Sequence, residues 1–444
     1  MTSDDMHNGI AFASEPRAFM AAGFTDAIVD PEKRDELVDF HYTNGSDTIF
    51  KGIKRVLPGE SLNIRDGEIT DRQRQTFPLH RPPSALNEEE LVRQFDAVFQ
   101  DSVDVHRRSD VPYGLFLSAG IDSSAILAVL ARLLNEPVLC FTAGFDDDSV
   151  ADEGAEAARI ARHFKAEHIT VKYSIDDFWQ SLPAVANALD DPTSDYAALP
   201  TFKLAAEARR HVKVVLTGEG GDELLAGYGR YRRALRPWWQ GGRQPIRRSV
   251  IERLGLARGP VAWTKSEKQN RGDRVPGQTA LQRAQAADIE SWLPNDILLK
   301  LDRCLMAHGL EGRTPFLDRE MANFAAALPD NMKIRHGMGK WLLRRWAEQN
   351  CPPVDARMSK KGFTVPVRHW ISRRKSDLAD LVSRQSGIAE AFRPEAVRSV
   401  FMASDERVPG SAAWSLLFYA VWHSVHICKV AAENDVFTVL AAGV

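Results

Sequence analysis

The stretch Leu115-Phe-Leu-Ser-Ala-Gly-Ile-Asp-Ser-Ser124 decides how this chain is read. The apolar run from Tyr113 to Leu117 predicts a buried strand. Ser118, Ala119 and Gly120 then make a small-residue turn. Asp122, Ser123 and Ser124 open a breaker-free apolar segment of helical length, Ala125 to Leu134. A strand, a tight loop and a helix N-terminus in succession form an anion cradle. Backbone N–H groups and the helix dipole face the bound group, and serine hydroxyls add donors. Asp122 beside the cradle suits a Mg2+ that bridges protein and phosphate oxygens.

Outward from this loop the pattern repeats. Val138 to Phe145, His168 to Tyr173 and Val212 to Thr217 read as further strands, and helical segments fill Asp152 to Phe164, Asp176 to Leu189 and Leu199 to Arg210. Strands alternating with helices predict a parallel α/β sheet with right-handed crossovers. Ahead of it, Leu91, Phe95, Val98 and Phe99 recur at helical spacing behind Asn87 as a cap, with Glu88 to Glu90 in the first turn. Trp238 to Arg283 is rich in Arg and Gly with little periodicity and reads as a solvated connector. Beyond residue 290 the chain reads as mostly helical.

A second constellation, Leu216-Thr-Gly-Glu-Gly-Gly-Asp-Glu-Leu-Leu-Ala-Gly-Tyr228, also follows a strand. Loops at the carboxyl ends of parallel strands share one rim, so it can face the first loop. Asp122 and Asp222 could then hold one Mg2+ between them, and Gly218, Gly220 and Gly221 allow close approach of backbone to phosphate. Glu219 is a candidate general base, or a holder of an incoming ammonium or amine.

These segments resemble the asparagine synthetase family of ATP pyrophosphatases. Ser118-Ala-Gly-Ile-Asp-Ser123 is similar to the PP-loop Ser-Gly-Gly-x-Asp-Ser, with Ala119 in place of a glycine. Thr217-Gly-Glu-Gly-Gly-Asp-Glu223 resembles the more specific Ser-Gly-Glu-Gly-x-Asp-Glu. Leu301-Asp-Arg303, Leu310 to Asp318 and Lys340-Trp-Leu-Leu-Arg344 resemble the family's helical C-terminal half. Ser359-Lys-Lys-Gly-Phe-Thr-Val-Pro366 resembles a segment with a catalytic lysine, here Lys360 or its neighbour Lys361. The resemblance runs from about residue 88 to about residue 425.

The resemblance implies ATP and Mg2+ as cofactors and an AMP-forming amide ligase. Ser118, Ala119, Gly120, Asp122, Ser123, Ser124 and Gly218 would lie along the triphosphate, and Thr142 and Ala143 beside adenine. Asp122 and Asp222 would hold the metal, and Glu219 and Lys360 would be catalytic. Asp191 to Asp195 and Tyr196 would line the acyl pocket, whereas Asp302, Arg313 and Asp318 read as structural ion-pair members. The default product is asparagine from aspartate. A specialised amide former, like β-lactam synthetases or lasso-peptide cyclases, shares the chemistry. A catalytically silent partner protein is disfavoured by the joint presence of Asp122, Glu219, Asp222 and Lys360.

The N-terminus departs from the glutamine-using members, which begin with a catalytic cysteine. Position 2 is Thr2 and no cysteine precedes Cys140. Ile10 to Phe19, Thr48 to Ile53 and Leu57-Pro-Gly59 resemble only the last part of that glutaminase domain. The domains expected are therefore residues 1–83, a β-rich remnant of an N-terminal-nucleophile domain and a linker around Pro78 and His80, and residues 84–444, the PP-loop domain. Asn44-Gly45 and Asp66-Gly67 mark turns in the remnant. Its open edges are expected to pack on the synthetase domain, on a second copy, or on a separate glutaminase chain. Nitrogen would then come from ammonia, a partner or a substrate amine.

Composition narrows the setting. The 444 residues carry a formal net charge of −3, which speaks against nucleic-acid binding through bulk charge. The four cysteines are scattered, so a reducing, cytoplasmic setting is expected. No run reaches the roughly 20 apolar residues of a membrane span. Leu416 to Ile427 reads as a buried core helix.

Overall fold

In the computed structural model, residues 2–3, 9–75, 77, 81–146, 153–236, 249–261, 277–357 and 365–444 are described. Lys360, Lys361, Pro78, His80 and most of the Arg/Gly-rich connector lie outside them. Five strands form a wholly parallel sheet: β1 (Tyr113–Phe116), β2 (Leu139–Phe145), β3 (Glu167–Tyr173), β4 (Val214–Leu216) and β5 (Glu311–Arg313). Their spatial order is β3-β2-β1-β4-β5. Val214, Val215 and Leu216 are all buried, as strands covered on both faces require. The chain therefore steps outward from β1 through β2 to β3, then returns to the other side of β1 for β4. That reversal is a topological switch point, and it leaves a crevice beyond the ends of β1 and β4.

β5 was not foreseen, because three residues, two of them charged, carry no apolar pattern. It exists through its pairing with β4, and Thr217 N–H donates to Arg313 O at 2.8 Å. The helix Glu88–Arg107 starts at a capping box in which Asn87 and Glu90 exchange side-chain and backbone bonds. It packs Phe95 and Phe99 edge-on against Trp346. The 20-residue helix Arg407–His426 is buried on nearly every side, as expected for a core helix. Among the described residues no helix is long and apolar enough to cross a membrane.

The N-terminal part is not the β-rich unit expected. Asp66-Gly67 does turn a hairpin between Glu60–Arg65 and Glu68–Arg74, with both turn residues at positive φ. But Pro31–Phe40 is a helix, with Asp30 capping Glu32 N–H and Pro31 at its first position. Its periodicity is masked because Lys33, Asp35 and Glu36 are themselves buried. Lys33 Nζ donates to both oxygens of Glu36 and to Asn44 O. Leu37, Val38, Ile49, Phe50 and Ile53 join one core with the helices Ile175–Ala188 and Arg407–His426. The remnant thus packs on the synthetase part of the same chain.

Candidate active site

A cavity of about 460 Å3 occupies the crevice at the switch point. The loop after β1 contributes Ser118, Ala119, Gly120, Asp122 and Ser123; the loop after β4 contributes Thr217, Gly218, Glu219 and Asp222; β2 contributes Thr142 and Ala143. The sequence-predicted residues thus converge, with two exceptions. Ser124 is fully buried and its hydroxyl donates to Gly120 O at 2.8 Å inside its own helix, so it does not line the cavity. Lys360 lies outside the described residues.

The first loop braces itself. Ser123 Oγ accepts from Ser118 N–H at 3.0 Å, and Ser118 Oγ accepts from Gly120 N–H at 3.1 Å. The 13-residue helix Ile121–Leu133 has no side-chain cap at its N-terminus, which leaves its dipole facing the cavity. Ala119 is absent from the residues with positive φ, so its Cβ is tolerated and the loop closes without the glycine. The two loops touch: a Cβ on Gly218 would stand 3.0 Å from Asp122 Cβ and Ser123 N.

Between the loops sits Lys340. Its Nζ is 2.5 Å from Asp122 Oδ2 and 2.6 Å from Asp222 Oδ1. Burial works against this ammonium, but Asp122 and Asp222 outweigh it and raise its pKa. In the sequence Lys340 is only one residue of the family-like block Lys340 to Arg344; folding places it between the two carboxylates. It caps no helix by side chain, sits at φ +58° and precedes the helix Trp341–Asn350.

The other end of the cavity is lined by Asp195, Tyr196, Glu219, Tyr228, Trp292 and Lys300. Lys300 Nζ pairs with Asp195 Oδ2 at 2.9 Å. Burial opposes its charge, yet Asp195 and Glu219 hold it protonated. Burial pushes Glu219 up, with Lys300 opposing. Burial and Asp222 push Glu223 up to about 7, and Tyr228 O–H donates to it at 2.8 Å. Burial, aggravated by Asp195, raises Asp296 to about 7. Thr142 Oγ1 donates to Leu117 O at 2.6 Å, so His168 Nε2 at 2.8 Å is the donor to it. Arg313 donates to Glu311 and to the carbonyls of His106 and Arg108, and Asp318 caps the helix Arg319–Ala327. Asp302 lies 3.9 Å from Arg303. Arg313 and Asp302 are thus in ion pairs, as expected, whereas Asp318 serves as a helix cap.

An anion loop, a second acidic loop and buried lysines at the switch point of a parallel sheet define an α/β protein built to hold a charged ligand between two strand ends. The family model described as asparagine synthase matches residues 94–424. The chain belongs to the asparagine synthase family, and it is an ATP-dependent carbon–nitrogen ligase of that family. A glutamine-hydrolysing asparagine synthetase 1 of Bacillus subtilis is 30% identical over 467 aligned positions, covering 96% of this chain and 73% of the relative. A putative glutamine-hydrolysing asparagine synthetase of Mycobacterium tuberculosis is 32% identical over 472 positions, covering 94% and 72%. Amidase chyE of Penicillium rubens is 32% identical over 440 positions, covering 81% and 64%.

Proposed function

We propose that this chain is an AMP-forming amide ligase that adenylates a substrate carboxylate, with aspartate as the default acid and asparagine as the default product. The observation that carries this reading is the meeting of two strand-end loops over one cavity, with Lys340 bridging Asp122 and Asp222. The triphosphate lies along Ser118 to Ser123, and adenine lies beside Thr142 and Ala143. A carboxylate oxygen attacks the α-phosphorus, the bond to pyrophosphate breaks, and an acyl-adenylate remains. A nitrogen nucleophile adds to the acyl carbon, loses a proton, and AMP departs.

The residues divide this work. Helix and loop N–H groups with Lys340 balance charge on the phosphates. Glu219, with its proton affinity raised by burial, holds the incoming ammonium or receives its proton. Lys360 is proposed to meet the charge that builds at the reacting centre. Asp195, Tyr196 and Lys300 orient the acid.

Mg2+ fits the donor set at Asp122 and Asp222: two hard carboxylates converge on one cationic position, leaving further coordination to water and phosphate. When bound, the metal supplies charge neutralisation at phosphate oxygens.

The nitrogen donor is ammonia, an amine on the substrate, or ammonia delivered by a partner. Cys140 is no candidate for a glutaminase nucleophile, because burial pushes its thiol up to about 12.

Pyrophosphate release, measured on a panel of carboxylates with ammonia, glutamine or no added nitrogen, tests the reading. Aspartate with ammonia yielding asparagine is the expected result. Glutamine serving as well as ammonia overturns the nitrogen assignment. Asp222→Ala is expected to abolish turnover, and full activity in that variant sinks the site.

A further inference from the structure

The wall of the cavity that carries Asp195 and Tyr196 is the loop Asp190–Tyr196, and both its flanks are gripped from elsewhere. On one side the N-terminal segment holds it. Arg55 Nε donates to Asp191 Oδ2 at 2.5 Å and Ile49 N–H to Asp191 Oδ1 at 3.3 Å. Arg17 N–H donates to Asp190 Oδ2 at 2.9 Å, and Ser194 N–H donates to His41 O at 2.7 Å. His41 Nδ1 also lies 3.1 Å from Ser194 Oγ. On the other side, Trp414 Nε1 donates to Ser194 O at 2.6 Å, and Trp422 Nε1 to Leu189 O and Asp190 O at 3.0 and 3.1 Å.

The grip is built rather than incidental. Asp190 and Asp191 are both almost wholly buried. Arg55 is fixed at its other end by the carbonyls of Thr43 and Gly45, each at 3.2 Å. Its planar fork thus joins the Thr43–Gly45 loop of the N-terminal segment to one carboxylate of the wall. Four residues beyond Asp191, Asp195 turns into the cavity to meet Lys300. The first loop is braced from within instead, through Ser118, Gly120 and Ser123.

We propose that Arg55 is a positioning residue for the acyl end of the site. Acting through Asp191, it sets where Asp195 and Tyr196 stand, so the N-terminal segment is a working part of carboxylate selection. This rests on the proposed function, in which that wall contacts the acid and the Ser118–Ser123 loop contacts ATP. The effect of losing Arg55 therefore falls on one substrate.

The test is steady-state pyrophosphate release by the full chain and by Arg55→Ala and Arg55→Lys. KM for the carboxylate and KM for ATP are measured separately, with thermal unfolding of each protein. Arg55→Ala is expected to raise KM for the carboxylate about tenfold, since displacing a positioning group by 1 Å can cost ~10²-fold. KM for ATP stays unchanged. Arg55→Lys recovers part of the loss, because an ammonium still meets Asp191 but cannot span both carbonyls. If Arg55→Ala does not fold, His41→Asn, which removes the ring beside Ser194 and tolerates the φ of +74° at that position, is read the same way. Equal changes in both KM values, or none, overturn the inference. No release by the wild-type chain with any carboxylate overturns the proposed function instead.

Discussion

Lys340 Nζ lies 2.6 Å from Asp222 Oδ1, and the same ammonium reaches Asp122 across the gap between two loops nearly a hundred residues apart in sequence. Three side chains from three distant segments therefore share one charge balance. Its first consequence concerns Lys340→Met. Removing one partner of a buried ionic group costs about 3–5 kcal/mol, because the remaining charges stay desolvated. Asp122 and Asp222 would then lose the ammonium that bridges them. Mg2+ is expected to stabilise this variant more than the wild type, measured as the shift in thermal midpoint on titration. An equal response in both proteins would refute the metal assignment.

Gly227 tests how tightly the same triad is enclosed. A Cβ there would stand 1.7 Å from Asp222 Oδ1 and 2.4 Å from Lys340 Cε. Gly227→Ala must push both groups aside. Pyrophosphate release is expected to fall by ~10²-fold, the scale of a 1 Å misplacement, while the helical circular dichroism spectrum is kept. Wild-type rates would show that the triad is not part of the site.

Asp296 makes stability depend on pH. Its folded pKa, raised by burial to about 7, exceeds the ordinary aspartate value of 3.8, so the folded chain binds a proton that the unfolded chain releases. The stabilisation from that proton is complete below about pH 4 and is lost as pH rises through 7. Asp296→Asn removes this contribution. The variant's midpoint in chemical denaturation is expected to vary less between pH 5 and pH 8 than that of the wild type. Thr193 and Trp292 both donate to Asp296, so the variant's absolute stability is lower. The slope is the decisive quantity, and an unchanged slope counts against the shift.

Phe50 tests whether the N-terminal segment folds with the rest. It is buried, its ring centroid 5.4 Å from that of Trp422. Phe50→Ala is expected to cost about 3–5 kcal/mol in a single unfolding transition. A separate low-stability transition, with the main one unmoved, would show that residues 10–75 are an independent unit.

The two loops, their order and most strands and helices of the sheet were readable along the chain. Local chemistry imposes them: apolar runs bury, Gly and Ser turn, and capping pairs such as Asn87 and Glu90 start helices. The family could likewise be read from the motifs at Ser118–Ser123 and Thr217–Glu223. The tertiary structure alone decided the rest. β5 forms only by pairing with β4. The helix Pro31–Phe40 buries charged residues and so shows no apolar stripe. Ser124 turns its hydroxyl into its own helix. Lys340 becomes the bridge between Asp122 and Asp222, and Arg55 the clamp on Asp191, because folding brings distant charges into a low-dielectric interior where each must find a partner. A local pattern records what a segment prefers, but not which distant carboxylate a lysine or arginine will meet.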